Sequence, residues 1–321
     1  MTNGIILSLG EALVEIMRPG SGASLDQPGV FEGPFASGAP AIFAVAAARL
    51  GLPVRFIGVV GPDAFGRLMR ARFAAEGVDS RWLQTAPGRA TGVAFVAYAA
   101  DGSREFVFHL RHSAAGAMTA QHVDEACFAG AAWLHISGST LLMNESCRDA
   151  CWKAVTLIKR SGGRLSFDPN LRPELMPDEQ ARQVMADFIH SADLLLPTAE
   201  EAHILAGIAD DDQAARALAG SGSRVVALKR GAGGCAAYQG AQQVEAPGFK
   251  APEVDPTGAG DCFNAAFLYG IHAGWSLEQT ARFGCAAGAL AVTRQGPMEG
   301  APTFAEVEAL LSKHGHAGAS N

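Results

Sequence analysis

Near the C-terminal end, Asp255-Pro256-Thr257-Gly258-Ala259-Gly260-Asp261 runs straight into an apolar stretch, Cys262 to Ala273, with helical spacing. Three small residues just before a helix leave its first backbone N–H groups open to approach, and the positive end of the helix dipole lies there. Such an end is an anion site. An aspartate beside it repels an anion, so Asp261 needs another purpose. It suits a general base that takes a proton from a hydroxyl while the N–H groups hold transferred phosphoryl charge. The plainer alternative is a glycine-rich turn with an N-terminal helix aspartate, and a bare G-x-G-D alone favours it.

Other residues invite a chemical reading. Glu11 closes the first strand and faces the crevice where α/β sheets bind ligands, there to bond hydroxyls or to brace a lid. Lys229-Arg230-Gly231-Ala232-Gly233-Gly234 lets a ligand approach its backbone closely. It lacks the third glycine of G-x-G-x-x-G and enters a strand-like stretch, which argues against a dinucleotide fold. No G-x-x-x-x-G-K-[ST] run exists, so a P-loop is excluded. His109 and His112 lack the further ligands of a metal cluster.

These residues need a scaffold, and short apolar runs alternating with amphipathic stretches supply it. Strands are predicted at Gly4–Gly10, Val54–Val60, Trp133–Ser137, Arg164–Asp168, Asp193–Leu196, Arg224–Lys229 and Gly234–Tyr238. Helices are predicted at Pro40–Leu50, Ala64–Glu76, Glu145–Arg160, Asp178–His190, Glu200–Ala206, Gly258–Ala273, Leu277–Val292 and Phe304–Leu311. Asp63 and Asn144 sit where N-caps belong, and Thr303 with Glu306 reads as a capping box. This alternation predicts an α/β fold with a mainly parallel sheet covered on both faces. Ala12–Met17, Val93–Tyr98 and Arg104–His109, the last two flanking Ala99-Ala100-Asp101-Gly102-Ser103, break the rhythm. They are expected to form a small antiparallel sheet over one end, used as a lid.

Composition agrees. The chain has 321 residues, 49% hydrophobic and 18% charged, enough to bury a large core. A net charge of −7 disfavours a nucleic-acid partner. The N-terminus shows no leader and no apolar run is long enough to span a membrane, so a cytoplasmic protein without a membrane partner is expected. The six cysteines form no C-x-x-C pair; Cys147 and Cys151 share a helix face with Val155 and Ile158 and are expected in the core.

The whole D-P-T-G-A-G-D stretch, with Ala265 and Ala266 one turn on, resembles the second signature of the ribokinase (PfkB-type) carbohydrate kinases. Ser37-Gly38-Ala39-Pro40, then Gly61-Pro62-Asp63 and Gly66, is similar to that family's first signature. Asp168-Pro169-Asn170-Leu171-Arg172 is similar to the D-P-N-x-R of its branch acting on keto-sugars and 2-keto-3-deoxygluconate. Within the family the chain most resembles tagatose kinases and their 2-keto-3-deoxygluconate kinase relatives.

The resemblance implies a ribokinase-like three-layer α/β/α sandwich over residues 1–321, with a lid from about 11–36 and 91–113, through which a homodimer forms. It implies a kinase that binds a sugar and ATP with Mg2+ and K+, passing the γ-phosphate to a primary hydroxyl of a keto-sugar or sugar acid. Asp261 is then the base, the amides of Gly258, Ala259 and Gly260 the anion hole, and Arg172 a phosphoryl contact. Glu11, Gly38, Ala39, Arg111 and Asn170 would touch the sugar. Arg111 and Arg172 together suit a carboxylate or the γ-phosphate. Thr198, Lys229, Gly231, Ala232, Gly234 and Cys285 would meet ATP. Glu201 would organise magnesium through water, while Asp255, Thr257 and carbonyls in Val292–Gln295 would hold the monovalent cation. Three positions depart from the family pattern: Thr198 and Cys285 replace its usual asparagines, and a sugar-contacting asparagine is missing around Ile42-Phe43. The competing hypothesis is a non-catalytic sugar-binding protein, which has no need of Asp261 as a base.

Overall fold

The chain is described from a computed structural model over residues 4–99, 103–172, 174–220 and 224–315. It begins β1 (Ile5–Leu9), β2 (Leu13–Ser21), β3 (Glu32–Ser37), α1 (Ala39–Arg49), β4 (Val54–Val60), α2 (Ala64–Ala75) and β5 (Asp79–Thr85). The hairpin β6 (Gly92–Tyr98) and β7 (Arg104–His109) follows, then β8 (Ala131–Ser137), α3 (Gly138–Met143), α4 (Glu145–Arg160) and β9 (Arg164–Asp168). Next come α5 (Asp178–Ser191), β10 (Leu194–Leu195), α6 (Ala199–Ala206), α7 (Asp211–Ala219), β11 (Val225–Lys229), β12 (Cys235–Gln239) and β13 (Gln242–Ala246). Helices α8 (Ala259–Ala273), α9 (Leu277–Ala291) and α10 (Phe304–Gly315) complete it.

The larger sheet has nine strands in the order β13-β12-β11-β10-β9-β8-β1-β4-β5, parallel except for the β12–β13 hairpin at one edge. Neighbouring residues of its strands point to opposite faces, and both faces are apolar. Ile6, Phe56, Trp133, Leu194 and Val225 pack with α1, α8 and α9. Leu7, Ile57, Leu134, Leu195 and Val226 pack with α4, α5 and α7. The expected core stripe on α4 is found: Cys147, Cys151, Val155 and Ile158 are all buried. Asp63 and Asn144 cap α2 and α4 through their side chains, and Thr303 and Glu306 bond reciprocally before α10.

The second sheet has the order β3-β2-β6-β7. It differs from the expected antiparallel arrangement, because β2 runs parallel to β6. Sequence reading did not separate β3, β5, β13, α3 and α7. Strand β3 carries a Gly-Pro step, β5 and β13 lie at sheet edges with polar faces, and α3 opens on Gly138-Ser139-Thr140. Helix α7 had a readable signal in its Asp210 cap and alanine-rich face. The tip of the β6–β7 turn at 100–102 lies outside the described residues, although Ala99 N–H reaches the Ser103 carbonyl. No described helix is long and apolar enough to cross a membrane.

Candidate active site

Strand order reverses around β1: the chain goes from β1 to β4 on one side and reaches β8 on the other. Crevices open beyond the strand ends at such a point. Here the crevice is roofed by the small sheet and holds about 70 Å³. Glu11, Glu15, Arg104, Asn170, Arg172 and Asp261 all line it.

Its floor begins with α8. Gly258, the N-cap, has φ +82, and a side chain there would sit 2.2 Å from the Pro297 carbonyl. The first helical bond runs from Cys262 N–H to the Gly258 carbonyl, so the amides before Cys262 precede the helical ladder. Asp261 stands in this first turn. It touches the crevice on one side and protein on the others. Desolvation, then the charge of Asp168, push its carboxyl well above the ordinary range, while Lys229 and Arg172 pull the other way.

Beneath it lies a buried polar network. Asp168 Oδ2 accepts from Lys229 Nζ at 3.0 Å and from Asn264 Nδ2 at 2.5 Å, and Lys229 also donates to Asn264 Oδ1 at 3.2 Å. The Lys229 ammonium lies over Gly260, 3.8 Å from where a side chain would begin. Asp168 Oδ1 accepts the Asn170 N–H, an Asx turn that explains the D-P-N order and holds Asn170 at φ +40. The Asn170 amide then donates to Ser137 Oγ. Glu201 ties two loops together: its oxygens accept the Leu171 and Thr198 N–H groups, each at 2.8 Å. Burial first, and Asp168 second, raise its carboxyl.

The crevice walls are carboxylates with neutral partners. Glu11 accepts from the Ser139 and Thr140 hydroxyls, both at 2.6 Å, so it braces the start of α3 as well as lining the crevice. Glu15, on β2, accepts from Ser37 Oγ at 3.0 Å, while its Oε1 is buried without a partner. Burial pushes Glu15 up to about 7. Gly38, at φ +108, packs the start of α1 against the Glu11 carbonyl, where a side chain would begin only 2.5 Å from that oxygen.

One contact joins roof to floor. The Tyr98 hydroxyl of β6 donates to Asp255 Oδ1 at 2.6 Å and meets Thr257 Oγ1 at 2.7 Å. Asp255, 2% exposed, also accepts the Thr257 and Gly296 N–H groups. At the root of the same hairpin, Asp63 accepts the N–H and hydroxyl of Thr91, which gives the Gly61-Pro62-Asp63 segment a structural task.

Thus Asp261, Gly258, Arg172, Asn170, Glu11 and Ala39, read from sequence as phosphoryl and sugar contacts, share the crevice with Thr257, read as a cation ligand. Thr198 and Lys229 are bridged neighbours at the C-terminal ends of β10 and β11, and Gly231–Gly233 forms an exposed turn beside them. Two positions need correction. Arg111 is not in the crevice; it lines a separate cavity and donates to the Leu175 carbonyl. Cys285 packs in the core against Cys235, sulfur to sulfur 3.5 Å, so its side chain is not offered to a nucleotide base. The Val292 carbonyl already accepts the Val254 and Asp255 N–H groups. Sequence reading missed Glu15, Ser37, Tyr98, Arg104, Ser139 and Asn264. The first four lie on the small sheet, and only alternation along β2 hinted that Leu13 and Glu15 share a face with Glu11.

Among the described residues no three His, Cys, Asp or Glu side chains form a cage. Instead Glu201, Asp261 and Asp168 concentrate negative charge around one lysine. That suits magnesium, which keeps its waters and leans on one or two carboxylates plus phosphate oxygens. The buried Asp255 carboxylate has only neutral donors described around it, which suits a monovalent cation beside it.

Comparison with known proteins gives consistent relatives. The family model described as pfkB family carbohydrate kinase matches residues 32–304. Fructokinase-1 of Zea mays is 35% identical over 319 residues, covering 96% of this chain and 98% of that one. An E. coli protein provisionally described as a ribokinase II, crystallised with ATP and Mg2+, superposes with a TM-score of 0.90 at 39% identity, covering 97% and 100% of the two chains. Vibrio cholerae fructokinase with fructose, ADP and calcium gives 0.84 at 27% over 97% and 100%. A potassium-bound double mutant of it gives 0.82 at 27% over 96% and 99%.

Proposed function

The chain belongs to the pfkB family of carbohydrate kinases and is an ATP-dependent sugar kinase of ribokinase-like fold; on that premise we propose that its acceptor is a ketohexose of the fructose type, phosphorylated on a primary hydroxyl. The observation that carries this is the placement of Asp261 at the open start of α8, facing a crevice of hydrogen-bonding groups. Fructokinase relatives support the fructose type. In the crevice Glu11, Glu15 and Asp261 face Arg104 and Arg172, and these carboxyl oxygens and guanidinium donors together suit the hydroxyls of a polyol. Arg104 is also a ready partner for a carboxylate, which keeps a 2-keto-3-deoxygluconate acceptor as the second reading.

In the proposed reaction Asp261 takes the proton of the attacking hydroxyl. The hydroxyl oxygen bonds to the γ-phosphorus as the bond to the ADP oxygen breaks. The first amides of α8 and the Lys229 ammonium hold the charge on the moving phosphoryl group. Glu201 would face the water shell of a magnesium ion carried by ATP, which would supply neutralisation of the phosphate charge. The Gly231 turn, Ala232 and Gly234 would lie along the nucleotide. Glu15, with an unfilled buried oxygen, takes a sugar hydroxyl.

A volume near 70 Å³ is small beside the ~300 Å³ of ordinary ligand pockets, so the small sheet acts as a lid that opens to admit sugar. Potassium beside Asp255 would couple that lid to the anion hole through Tyr98. A thermal-melt titration with KCl against CsCl tests it, and equal shifts count against a potassium site. Phe31 and Val107 are exposed on the small sheet and would pair with a second copy, a point for light scattering to decide. The reaction itself is tested by an ATP-consumption screen over fructose, tagatose, ribose, 2-keto-3-deoxygluconate and adenosine. Turnover is expected with fructose first; turnover of adenosine alone overturns the reading.

A further inference from the structure

A second cavity, of about 390 Å³, opens to solvent, with Arg89, Arg111 and His112 exposed and Arg148 half-buried in its lining. Arg89, Arg111, His112 and Arg148 line it, and no carboxylate does. The three guanidinium groups bond to backbone carbonyls alone among the described residues: Arg89 to that of His112 at 3.0 Å, Arg148 to that of Leu141 at 3.3 Å, and Arg111 to that of Leu175. Elsewhere Arg49, Arg72, Arg81 and Arg230 pair with acids, while Arg18 and Arg224 each spread over three backbone carbonyls. Each guanidinium has five donors and one carbonyl cannot satisfy them. Asn144, which caps the 16-residue helix α4, is also in the lining, so the positive end of that helix adds to the field.

We propose that this cavity is an effector site for a small phosphate-bearing anion. Unfilled guanidinium forks gathered in one cavity of a net acidic chain match phosphate oxygens in geometry and charge. The volume exceeds what a bare phosphate ion fills, so a hexose monophosphate binds tighter than inorganic phosphate. The site is wired to the crevice. Leu175 lines the crevice, its N–H bonds to the Arg172 carbonyl at 2.9 Å, and its carbonyl holds Arg111. An anion that draws Arg111 away releases the turn carrying Arg172. Anion and sugar therefore weaken each other's binding by the same factor.

Calorimetric titration of the full chain without ATP tests this, using inorganic phosphate, a hexose monophosphate and a neutral hexose. Wild-type protein should bind both anions saturably, and Arg89→Ala/Arg148→Ala should weaken that by at least about tenfold. Without added anion the double variant should keep its kcat and sugar KM. With anion, sugar KM should rise in wild type and stay flat in the variant. Should the double variant melt early, Arg148→Gln alone is expected to weaken anion binding several-fold. Anion binding retained in a folded variant means the anion occupies the catalytic crevice, and absence of saturable binding to wild type equally overturns the proposal. Because binding is read without turnover, its failure leaves the kinase reading standing.

Discussion

Floor and roof of the crevice are made from different kinds of chain. The floor groups Asp168, Asn170, Lys229, Gly258 and Asp261 each sit at a strand end or a helix start of the large sheet, in short runs whose backbone geometry fixes them. The roof groups Glu15, Ser37, Tyr98 and Arg104 come from four strands of the small sheet, far apart in sequence. Floor charges are locked by a network, whereas Glu15 keeps an unfilled oxygen. The contrast separates two tasks: a rigid base does the chemistry, and a smaller sheet that can move chooses the substrate.

Substitutions can break that division. Asp261→Asn should lower kcat by ~10²–10⁴ with modest change in KM, in a coupled assay. Turnover close to wild type would falsify its role as base. Lys229→Met strands the buried Asp168 carboxylate and should cost about 3–5 kcal/mol in urea unfolding, because an uncompensated buried charge remains. A loss below 1 kcal/mol in that measurement means the pair is not what holds the floor together.

On the roof the effects should be smaller and of another kind. Above pH 7, where its carboxyl is ionised, Glu15→Gln should raise sugar KM by about tenfold, the worth of one hydrogen bond to a charged group, with kcat nearly kept. A kcat loss matching that of Asp261→Asn erases the floor–roof distinction. Glu15 also carries a pH signature. Folded Glu15 holds its proton up to about 7, while the unfolded chain releases it near 4.5, so stability falls as pH rises through that window. In the glutamine variant the slope of melting temperature against pH should flatten there. Tyr98→Phe, the mildest change, removes one donor to Asp255 and should cost about 1 kcal/mol. Hydrogen exchange in β6 should quicken while kcat moves at most a few-fold; a collapse in kcat makes Tyr98 part of the floor.

How much of this was legible follows the same line. Asp261, Gly258 and the D-P-N-x-R run were readable because each is a local device: a helix start, a positive φ, an Asx turn. The parallel order of the large sheet was readable from strand–helix alternation. Glu15 and Arg104 were not: the small sheet was read from its hairpin turn, but the register and the parallel pairing of Leu13–Ser21 with Gly92–Tyr98 that bring them together are encoded by no local pattern. Arg111 shows the converse. Its type and its neighbours suggested a substrate contact, yet its direction depends on which side of β7's exit the chain turns, and it turned outward. Cys285 failed similarly: the helix face it occupies meets the sheet.

All six cysteines are free and buried, in both apolar layers. A thiol can be alkylated only when its surroundings part, so each is an internal stopwatch for a different piece of the protein. Cys127, Cys147 and Cys151 time the α4 side, while Cys235, Cys262 and Cys285 time the side carrying α8 and α9. Labelling rates resolved by peptide would rank which layer breathes first, and would do so without placing a single foreign probe.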